Sequence, residues 1–173
     1  MLRVRRASSV ASILSLCATR VPRSARVYAT TSDKKTMARP SRDSVLMQSA
    51  WVWSQRSTCS RLQVGAVFAR DGRILVTGYN GAPTRLRHCI HLDDSPCTTA
   101  EHAERNGIAY AARHGITLQG STLYVTHMPC SACAMSIINA GVTRVLYQEP
   151  YRDRSGVKLM MKASLVVERY TPS

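Results

Sequence analysis

The spacing of apolar residues changes twice in the first half of the chain. Residues 41–57 have apolar side chains at helical intervals, which predicts a helix with one apolar face. Two continuous apolar runs follow, residues 64–69 and 74–79, and an Asp-Gly pair separates them, so we predict an antiparallel hairpin. Residues 80–97 then lose their periodicity and are rich in turn formers. An ordered loop of this length is usually functional or held by a metal.

Helix and strand signals alternate in the second half. The sequence Thr-Thr-Ala-Glu at residues 98–101 has the form of a capping box, which predicts a helix that begins at Thr98 and ends at Gly115. Strands that alternate with helices are joined by right-handed crossovers, so we predict an α/β fold with a mixed sheet and helices on both faces. The remaining predicted elements are strands at residues 122–126, 144–147 and 165–170 and helices at residues 130–140 and 157–162.

The net charge of +14 is unevenly distributed. Residues 1–36 hold eight basic groups against one acidic group, and thus half of the excess. They also lack a sustained apolar period, so we predict that they form a disordered extension and that residues 37–173 form one domain. Two accounts of the extension stay open. In the first account, the extension is a cleavable mitochondrial targeting peptide. In the second account, which we favour, synthesis begins at Met37.

Two features of the composition exclude classes of protein. No stretch approaches the roughly 18 apolar residues that a membrane-spanning helix needs, so we predict no membrane segment. Of the six cysteines, one lies in the basic extension, and the five in the domain are an odd number to pair. With histidines nearby and no secretory signal, metal ligation explains these five better than disulfides do. They are Cys59, Cys89, Cys97, Cys130 and Cys133.

The most informative motif joins two short segments. His-Ala-Glu at residues 102–104 is followed after 24 residues by Pro-Cys-Ser-Ala-Cys at residues 129–133. Together they match the H-x-E and P-C-x-x-C signature of zinc nucleobase deaminases. Cys130 and Cys133 lie three apart at the start of a predicted helix, where the helix dipole favours their thiolate forms. His102 is the third predicted ligand, which leaves the fourth tetrahedral position of zinc for water.

Glu104 is the predicted catalytic residue. A zinc site with an open position lowers the pKa of its water to near neutrality. Glu104, two residues beyond the predicted ligand, would accept the proton of that water. It would then pass protons to N3 of a cytosine-type base and to the departing ammonia. The alternative is a closed structural zinc site with a fourth protein ligand, in which Glu104 is only a surface residue.

Six segments of the chain resemble the deoxycytidylate deaminase family, especially its phage and bacterial members. The resemblance covers nearly everything after Met37. The segments are Cys-Ser-Arg-Leu-Gln-Val-Gly-Ala-Val at residues 59–67, Gly-Tyr-Asn-Gly-Ala-Pro at 78–83, His-Ala-Glu at 102–104, Leu-Tyr-Val-Thr at 123–126, Pro-Cys-Ser-Ala-Cys at 129–133 and Ile-Ile-Asn-Ala-Gly at 137–141.

The resemblance implies a fold, a reaction and an assembly. The fold would be a cytidine deaminase-like three-layer α/β/α sandwich with a five-stranded sheet. With Zn²⁺ as cofactor, the enzyme would convert deoxycytidylate (dCMP) to deoxyuridylate (dUMP) for thymidylate synthesis. It would be a homo-oligomer. Its location would be the cytoplasm, or the host cytoplasm if the protein is viral. Asn80 would contact the nucleotide sugar and Tyr151 would lie near the phosphate. The simpler interpretations are an Asn-Gly turn and a partly buried loop tyrosine.

The other domain cysteines suggest a second zinc site, of the structural type. Cys59, Cys89, His91 and Cys97 offer soft ligands from a helix end and from the long loop. Some relatives in the family carry a structural zinc in this region. The alternative is a set of small buried thiols beside an exposed His91.

The other notable side chains have structural interpretations. The arginines can pair with a phosphate, but we expect solvated surface positions. We expect the histidines on the surface or at helix ends, and the tryptophans in the core or at subunit contacts. Gly107, inside a predicted helix, suggests a looser helix, because glycine costs roughly 1 kcal/mol relative to alanine there. The arginines meant here are Arg61 and Arg85, the histidines are His88, His114 and His127, and the tryptophans are Trp51 and Trp53.

Two other functions compete with dCMP deamination. One is deamination of free cytosine, a nucleoside or adenosine in RNA by another member of the same superfamily, which the Gly-Tyr-Asn-Gly segment argues against. The other is a zinc-stabilised nucleic-acid-binding module. Half of the charge excess lies outside the domain, and the domain has no stripe of aromatic and basic residues. We therefore expect a small-molecule nucleotide as partner and no specific nucleic acid.

Overall fold

The computed structural model describes residues 39–90 and 97–172. The basic extension and His91 lie outside these residues, so what was predicted for them stays a prediction. Within the described ranges no helix is long and apolar enough to cross a membrane. The elements in chain order are α1 (Arg42–Ser54), β1 (Gly65–Arg70), β2 (Arg73–Tyr79), α2 (Ala103–Arg113), β3 (Thr122–His127), α3 (Ser131–Asn139), β4 (Arg144–Glu149), α4 (Ser155–Lys162) and β5 (Val166–Arg169).

The strands form one five-stranded sheet in the order β2-β1-β3-β4-β5. β1 runs antiparallel to both β2 and β3, whereas β3, β4 and β5 run parallel. Asp71 and Gly72 both have positive φ angles at the β1–β2 turn, which is the conformation that a tight hairpin requires. The predicted hairpin and mixed sheet are confirmed.

Alternate strand residues divide between two apolar cores, because neighbouring side chains of a strand point to opposite faces. Val67 and Tyr124 pack on one face with residues of α1. Phe68 and Val125, their neighbours, pack on the other face with residues of α2, α3 and α4. The layers are therefore α1, the sheet, and the group α2, α3 and α4. This arrangement confirms the predicted three-layer α/β/α sandwich.

The start of α2 differs from the prediction. Residues 98–101 are not helical, so the proposed capping box is wrong, and the helix begins at Ala103 with His102 as its N-cap residue. The physical reason is a competing backbone pairing. Glu101 and Gly81 exchange two hydrogen bonds, of 3.1 and 2.9 Å, which hold the chain before the helix in an extended conformation.

Gly107 has a packing role that the sequence did not indicate. A Cβ atom at this position would lie 2.7 Å from Cε2 of Phe68, whose ring is fully buried beneath the helix. The missing side chain therefore lets α2 approach β1 closely. That gain in packing offsets the lower helix propensity of glycine.

Asp43 connects α1 to the sheet on the opposite side of the molecule. Its Oδ1 accepts a hydrogen bond of 2.6 Å from the Tyr124 hydroxyl, and its two oxygens accept bonds of 3.2 and 3.0 Å from Arg144. Burial alone would raise the pKa of Asp43, but the hydrogen bonds from Arg144 and Tyr124 outweigh it and hold the pKa below its ordinary value. The charged carboxylate is therefore the form that stabilises this junction.

Candidate active site

The N-termini of α2 and α3 meet at one end of the sheet and bring three predicted ligands together. His102 is the N-cap residue of α2, and Cys130 is the N-cap residue of α3. Nδ1 of His102 lies 3.6 Å from Sγ of Cys130 and 3.3 Å from Sγ of Cys133. The convergence depends on the parallel crossover from β3 to β4, which sets α3 beside α2 on the same face.

These distances fit a tetrahedral zinc ion. Zn–S bonds of about 2.3 Å and Zn–N bonds of about 2.0–2.1 Å at tetrahedral angles place a sulfur and a nitrogen ligand about 3.5 Å apart. The donor set of one imidazole and two sulfurs is one that zinc prefers. Within the described part of the chain, no fourth His, Cys, Asp or Glu joins the cluster. The geometry therefore suits a site with an open position rather than a closed structural site.

The thiols of Cys130 and Cys133 contact each other, and their pKa values shift in opposite directions. Hydrogen bonds from Cys133 and His102 lower the pKa of Cys130 to about 3. The same contact with Cys130, followed by burial and the charge of Glu104, raises the pKa of Cys133. A divalent cation among the three side chains would remove this competition, because coordinated thiols are deprotonated. The cluster thus has the chemistry of a metal site.

Glu104 lies in the first turn of α2, beside the cluster but outside it. Only 3% of its surface is exposed, and burial raises the pKa of its carboxyl group. The side chain also lines the same cavity as His102 and Cys130. A carboxyl group in this position can exchange protons with a molecule in the cavity.

Glu101 holds the backbone of His102, the predicted zinc ligand two residues before Glu104. Its Oε1 accepts a hydrogen bond of 2.9 Å from the backbone N–H of His102 and one of 2.6 Å from Nε of Arg105. Arg105, four residues further along the chain, also forms an ion pair of 2.6 Å with this carboxylate and therefore holds Glu101 in place. The backbone of Glu101 is fixed by its pairing with Gly81.

The cavity includes both predicted substrate-contact residues. Asn80 is 93% buried, and its amide bridges the facing loop: Oδ1 accepts from the backbone N–H of Val64 and Nδ2 donates to the carbonyl of Leu62, each at 2.7 Å. One N–H of the Asn80 amide remains for a ligand. Tyr151 is 47% exposed at the rim. The other lining residues include Cys59, Arg61, Leu62, Val64, Cys97, Ala100, His127 and Met128.

Two cavity residues were assigned to the surface by the sequence. His127 is half-buried and lines the cavity, and Arg61 lines it as well although it is exposed, as expected; Arg85 and His88 are exposed and do not line it. The position of His127 at the carboxyl end of β3, just before the Pro-Cys segment, is the signal that could have identified it. Arg61 lies in a loop, where periodicity carries no information about direction.

The remaining structural interpretations divide as follows. Nε1 of Trp51 donates a 2.8 Å hydrogen bond to Gln148, and the ring packs on the core beneath α1. Trp53 is 37% exposed and stacks on Tyr79 with an interplanar angle of 2°. His114 caps the end of α2, as predicted.

A second cluster contains three of the four predicted structural ligands. Sulfur atoms of Cys59, Cys89 and Cys97 lie within 4.8 Å of one another, and His91 lies outside the described residues. Burial, together with hydrogen bonds to the other two thiols, raises the pKa of Cys89 to about 11. Burial opposes ionisation of Cys97, but hydrogen bonds from Thr99 and Cys89 lower its pKa to about 6.

Comparison with known proteins bears on both fold and site. Residues 40–149 match the family described as the cytidine and deoxycytidylate deaminase zinc-binding region. ComE operon protein 2 of Bacillus subtilis is 37% identical over 138 residues, which is 77% of this chain and 73% of that protein. Deoxycytidylate deaminase of Saccharomyces cerevisiae is 32% identical over 146 residues, 78% of this chain and 46% of the yeast protein. The chain thus spans about half the length of the yeast enzyme.

A solved structure of a deoxycytidylate deaminase is also similar to this chain. The crystal structure of dCMP deaminase from the cyanophage S-TIM5, in complex with dCMP and dUMP, is similar to this chain with a TM-score of 0.71 and 34% identity. The match covers 76% of this chain and 98% of the phage enzyme. The resemblance drawn from the sequence motifs is confirmed, and zinc is the metal that the family's description names. The chain belongs to the family of cytidine and deoxycytidylate deaminases, whose zinc-binding region it carries in residues 40–149.

Proposed function

We propose that this protein hydrolyses the exocyclic amine of dCMP to give dUMP and ammonia. The observation that carries the proposal is the cluster of His102, Cys130 and Cys133 with the buried carboxyl of Glu104 beside it in one cavity. The phage enzyme whose structure contains dCMP and dUMP supports this substrate. The relatives named deoxycytidylate deaminase support it as well.

The residues around the cavity divide the work of the reaction. His102, Cys130 and Cys133 would hold the zinc, which when bound supplies a water of lowered pKa. Glu104 accepts the proton of the attacking water and delivers protons to N3 of the base and then to the leaving amine. Because Glu104 is almost fully buried, bulk water does not compete for these protons.

The nucleotide is proposed to lie between the metal cluster and the rim. Asn80 would offer its remaining amide N–H to the sugar, and Tyr151 would offer its hydroxyl to the phosphate. The internal hydrogen bonds of Asn80 to Val64 and Leu62 support this role, because they fix the direction of the amide before a ligand arrives.

The test of the catalytic role is the Glu104→Gln substitution. The amide keeps the size of the side chain but cannot transfer protons, so kcat for dCMP should fall by about 10²–10⁴-fold while bound zinc stays unchanged. Glu168→Gln, on β5, is the matched control and should leave kcat unchanged. A zinc-loaded Glu104→Gln variant with near-normal turnover would refute the proton-transfer role.

The test of the substrate is ammonia release from dCMP, cytidylate, deoxycytidine and cytosine. We expect dCMP to have the highest kcat/KM. Preference for a nucleoside or free base would favour the alternative superfamily activities. Turnover should not depend on added DNA or RNA, whereas a nucleic-acid-binding module would bind polyanions with an affinity that falls steeply with salt.

A second, structural zinc is proposed at Cys59, Cys89 and Cys97, with His91 as the fourth ligand. The support is the approach of the three sulfurs and the ionised form that Cys97 favours. Zinc measured by atomic absorption should fall from about two per chain to one in Cys89→Ser. Cys17→Ser, which leaves both clusters intact, should retain both ions. Unchanged zinc in Cys89→Ser would remove the second site.

The assembly and location are also proposals. Val45 and Val52 expose 46% and 62% of their surface on α1, and such apolar side chains support contact between copies of the chain in a homo-oligomer. Light scattering after size exclusion should give a mass above that of one chain, and a monomeric mass would contradict the proposal. A cytoplasmic location stays a prediction.

A further inference from the structure

His127 occupies a position from which it can reach a ligand. It is the last residue of β3, and its side chain lines the cavity. Because it ends the strand, its ring can contact Trp51 of α1 and still face the cavity. His127 therefore lines the same cavity as His102, Glu104 and Cys130.

One ring nitrogen of His127 is already engaged. Nδ1 lies 3.0 Å from Oγ1 of Thr126. Thr126 is fully buried, and its Oγ1 accepts a hydrogen bond of 3.2 Å from the backbone N–H of Gly65. The hydroxyl hydrogen of Thr126 must be donated somewhere, because a buried hydroxyl without an acceptor is costly. Among the described residues, Nδ1 of His127 is the acceptor that this hydroxyl meets, which favours the tautomer with the ring proton on Nε2.

The imidazole is also held in place and kept neutral. The ring centroids of Trp51 and His127 lie 5.9 Å apart at an interplanar angle of 60°. Trp51 is itself fixed by its hydrogen bond to Gln148. Burial lowers the pKa of His127, against the opposing charge of Glu149. Among the described residues, Nε2–H of His127 has no hydrogen-bond acceptor. A fixed neutral donor thus remains on the cavity wall.

We propose that His127 is a specificity-determining residue that donates a hydrogen bond from Nε2 to an oxygen acceptor of the bound nucleotide. This inference rests on the proposed function, since it assigns a contact within the same substrate cavity. Thr126 acts as a positioning residue, because its hydroxyl selects the tautomer that donates toward the cavity. The acceptor is an oxygen of the base, the sugar or the phosphate, and substrates that lack one of these groups distinguish them.

The test compares two substitutions at one position. His127→Leu removes the donor and keeps an apolar side chain, whereas His127→Gln keeps an N–H donor at a similar reach from the backbone. With dCMP, kcat/KM of His127→Leu should fall roughly two- to tenfold if the acceptor is neutral and on the order of tens- to a hundredfold if it is phosphate. His127→Gln should recover part of the loss. His88→Leu, at an exposed loop histidine outside the cavity, is the matched control and should match wild type.

The substrates locate the acceptor. A loss confined to dCMP and absent with deoxycytidine identifies the phosphate, and an equal loss with both identifies the sugar or base. Wild-type kinetics in His127→Leu, or equal losses in the Leu and Gln variants, would overturn the inference. Absence of turnover in the wild-type enzyme would instead count against the proposed function.

A spectroscopic readout is independent of turnover. Long-range ¹H–¹⁵N correlation spectra of wild-type protein should show His127 as the Nε2–H tautomer, and its resonances should shift on addition of dUMP. Titration with deoxyuridine in place of dUMP separates the phosphate from the other acceptors. Thr126→Ser, which retains the hydroxyl, should keep the tautomer. An Nδ1–H tautomer in the wild-type protein would contradict the donor geometry.

Discussion

Gly78→Ala should impair the enzyme although residue 78 is not assigned to catalysis. Gly78 lies on β2, directly beneath the first turn of α2. An added Cβ would lie 2.9 Å from the backbone nitrogen of Gly107 and closer still to the carbonyl oxygen of Ala103. Both neighbours are helix backbone, which cannot rotate away as a side chain would. The first turn of α2, which carries His102 and Glu104, must therefore move.

The expected magnitude follows from the overlap. Relieving it requires a displacement of roughly 1 Å, and overpacking of this kind costs about 1–3 kcal/mol of folding free energy. Misplacement of a catalytic group by about 1 Å can lower turnover by about 10²-fold. We therefore expect kcat to fall by about ten- to a hundredfold in Gly78→Ala, with a smaller change in KM.

Gly115→Ala provides the control for general destabilisation. Gly115 follows the other end of α2, has a φ of 65°, and an added Cβ there meets no atom within 4 Å. Alanine at this φ should cost about 1 kcal/mol of stability and leave kcat unchanged. Urea denaturation, zinc content and dCMP kinetics of the two variants separate the effects. Normal kcat in Gly78→Ala, at any stability, would refute the idea that this close approach positions the catalytic turn.

Three further predictions concern the junction at Asp43, the cavity rim and the metal. Asp43→Asn should lower the free energy of unfolding by about 1–2 kcal/mol at pH 7. The pKa of Asp43 in the folded protein lies below the ordinary value of 3.8. The difference in unfolding free energy between wild type and variant should therefore be complete at neutral pH and disappear as the pH falls through the folded pKa. A constant difference in urea titrations down to pH 3 would contradict the charge argument. Tyr151→Phe should raise KM for dCMP by roughly tenfold with little change for deoxycytidine, and equal KM values for dCMP in wild type and variant would remove the phosphate contact. Removal of zinc with a chelator should abolish turnover, and readdition of zinc should restore it; full activity of metal-free protein would contradict the metal requirement.

The local features of this protein could be predicted from its sequence because they depend on near neighbours in the chain. The spacing of apolar residues predicted α1 and the two hairpin strands, and the Asp-Gly pair predicted the turn between those strands. The spacing of the His-x-Glu and Pro-Cys-x-x-Cys segments indicated the three candidate metal ligands and Glu104, because each segment spans a single helix start.

Longer-range features required the tertiary structure. The start of α2 at Ala103 depends on Glu101 pairing with Gly81, twenty positions earlier in the chain. Gly107 could be explained only once Phe68 was seen beneath it. The local sequence pattern does not indicate either contact, because Gly81 and Phe68 lie far from α2 in the chain.

The division between sequence and tertiary structure is clearest at the cavity. The sequence alone determined which groups can bind a metal and transfer a proton, since those properties belong to residue types at fixed local spacing. Only the packed sheet decided that His127 and Arg61 line the cavity and that Asn80 uses its amide to hold the facing loop. The direction in which a side chain points from a loop or a strand end is set by the elements that pack around it, and those contacts exist only in the folded chain.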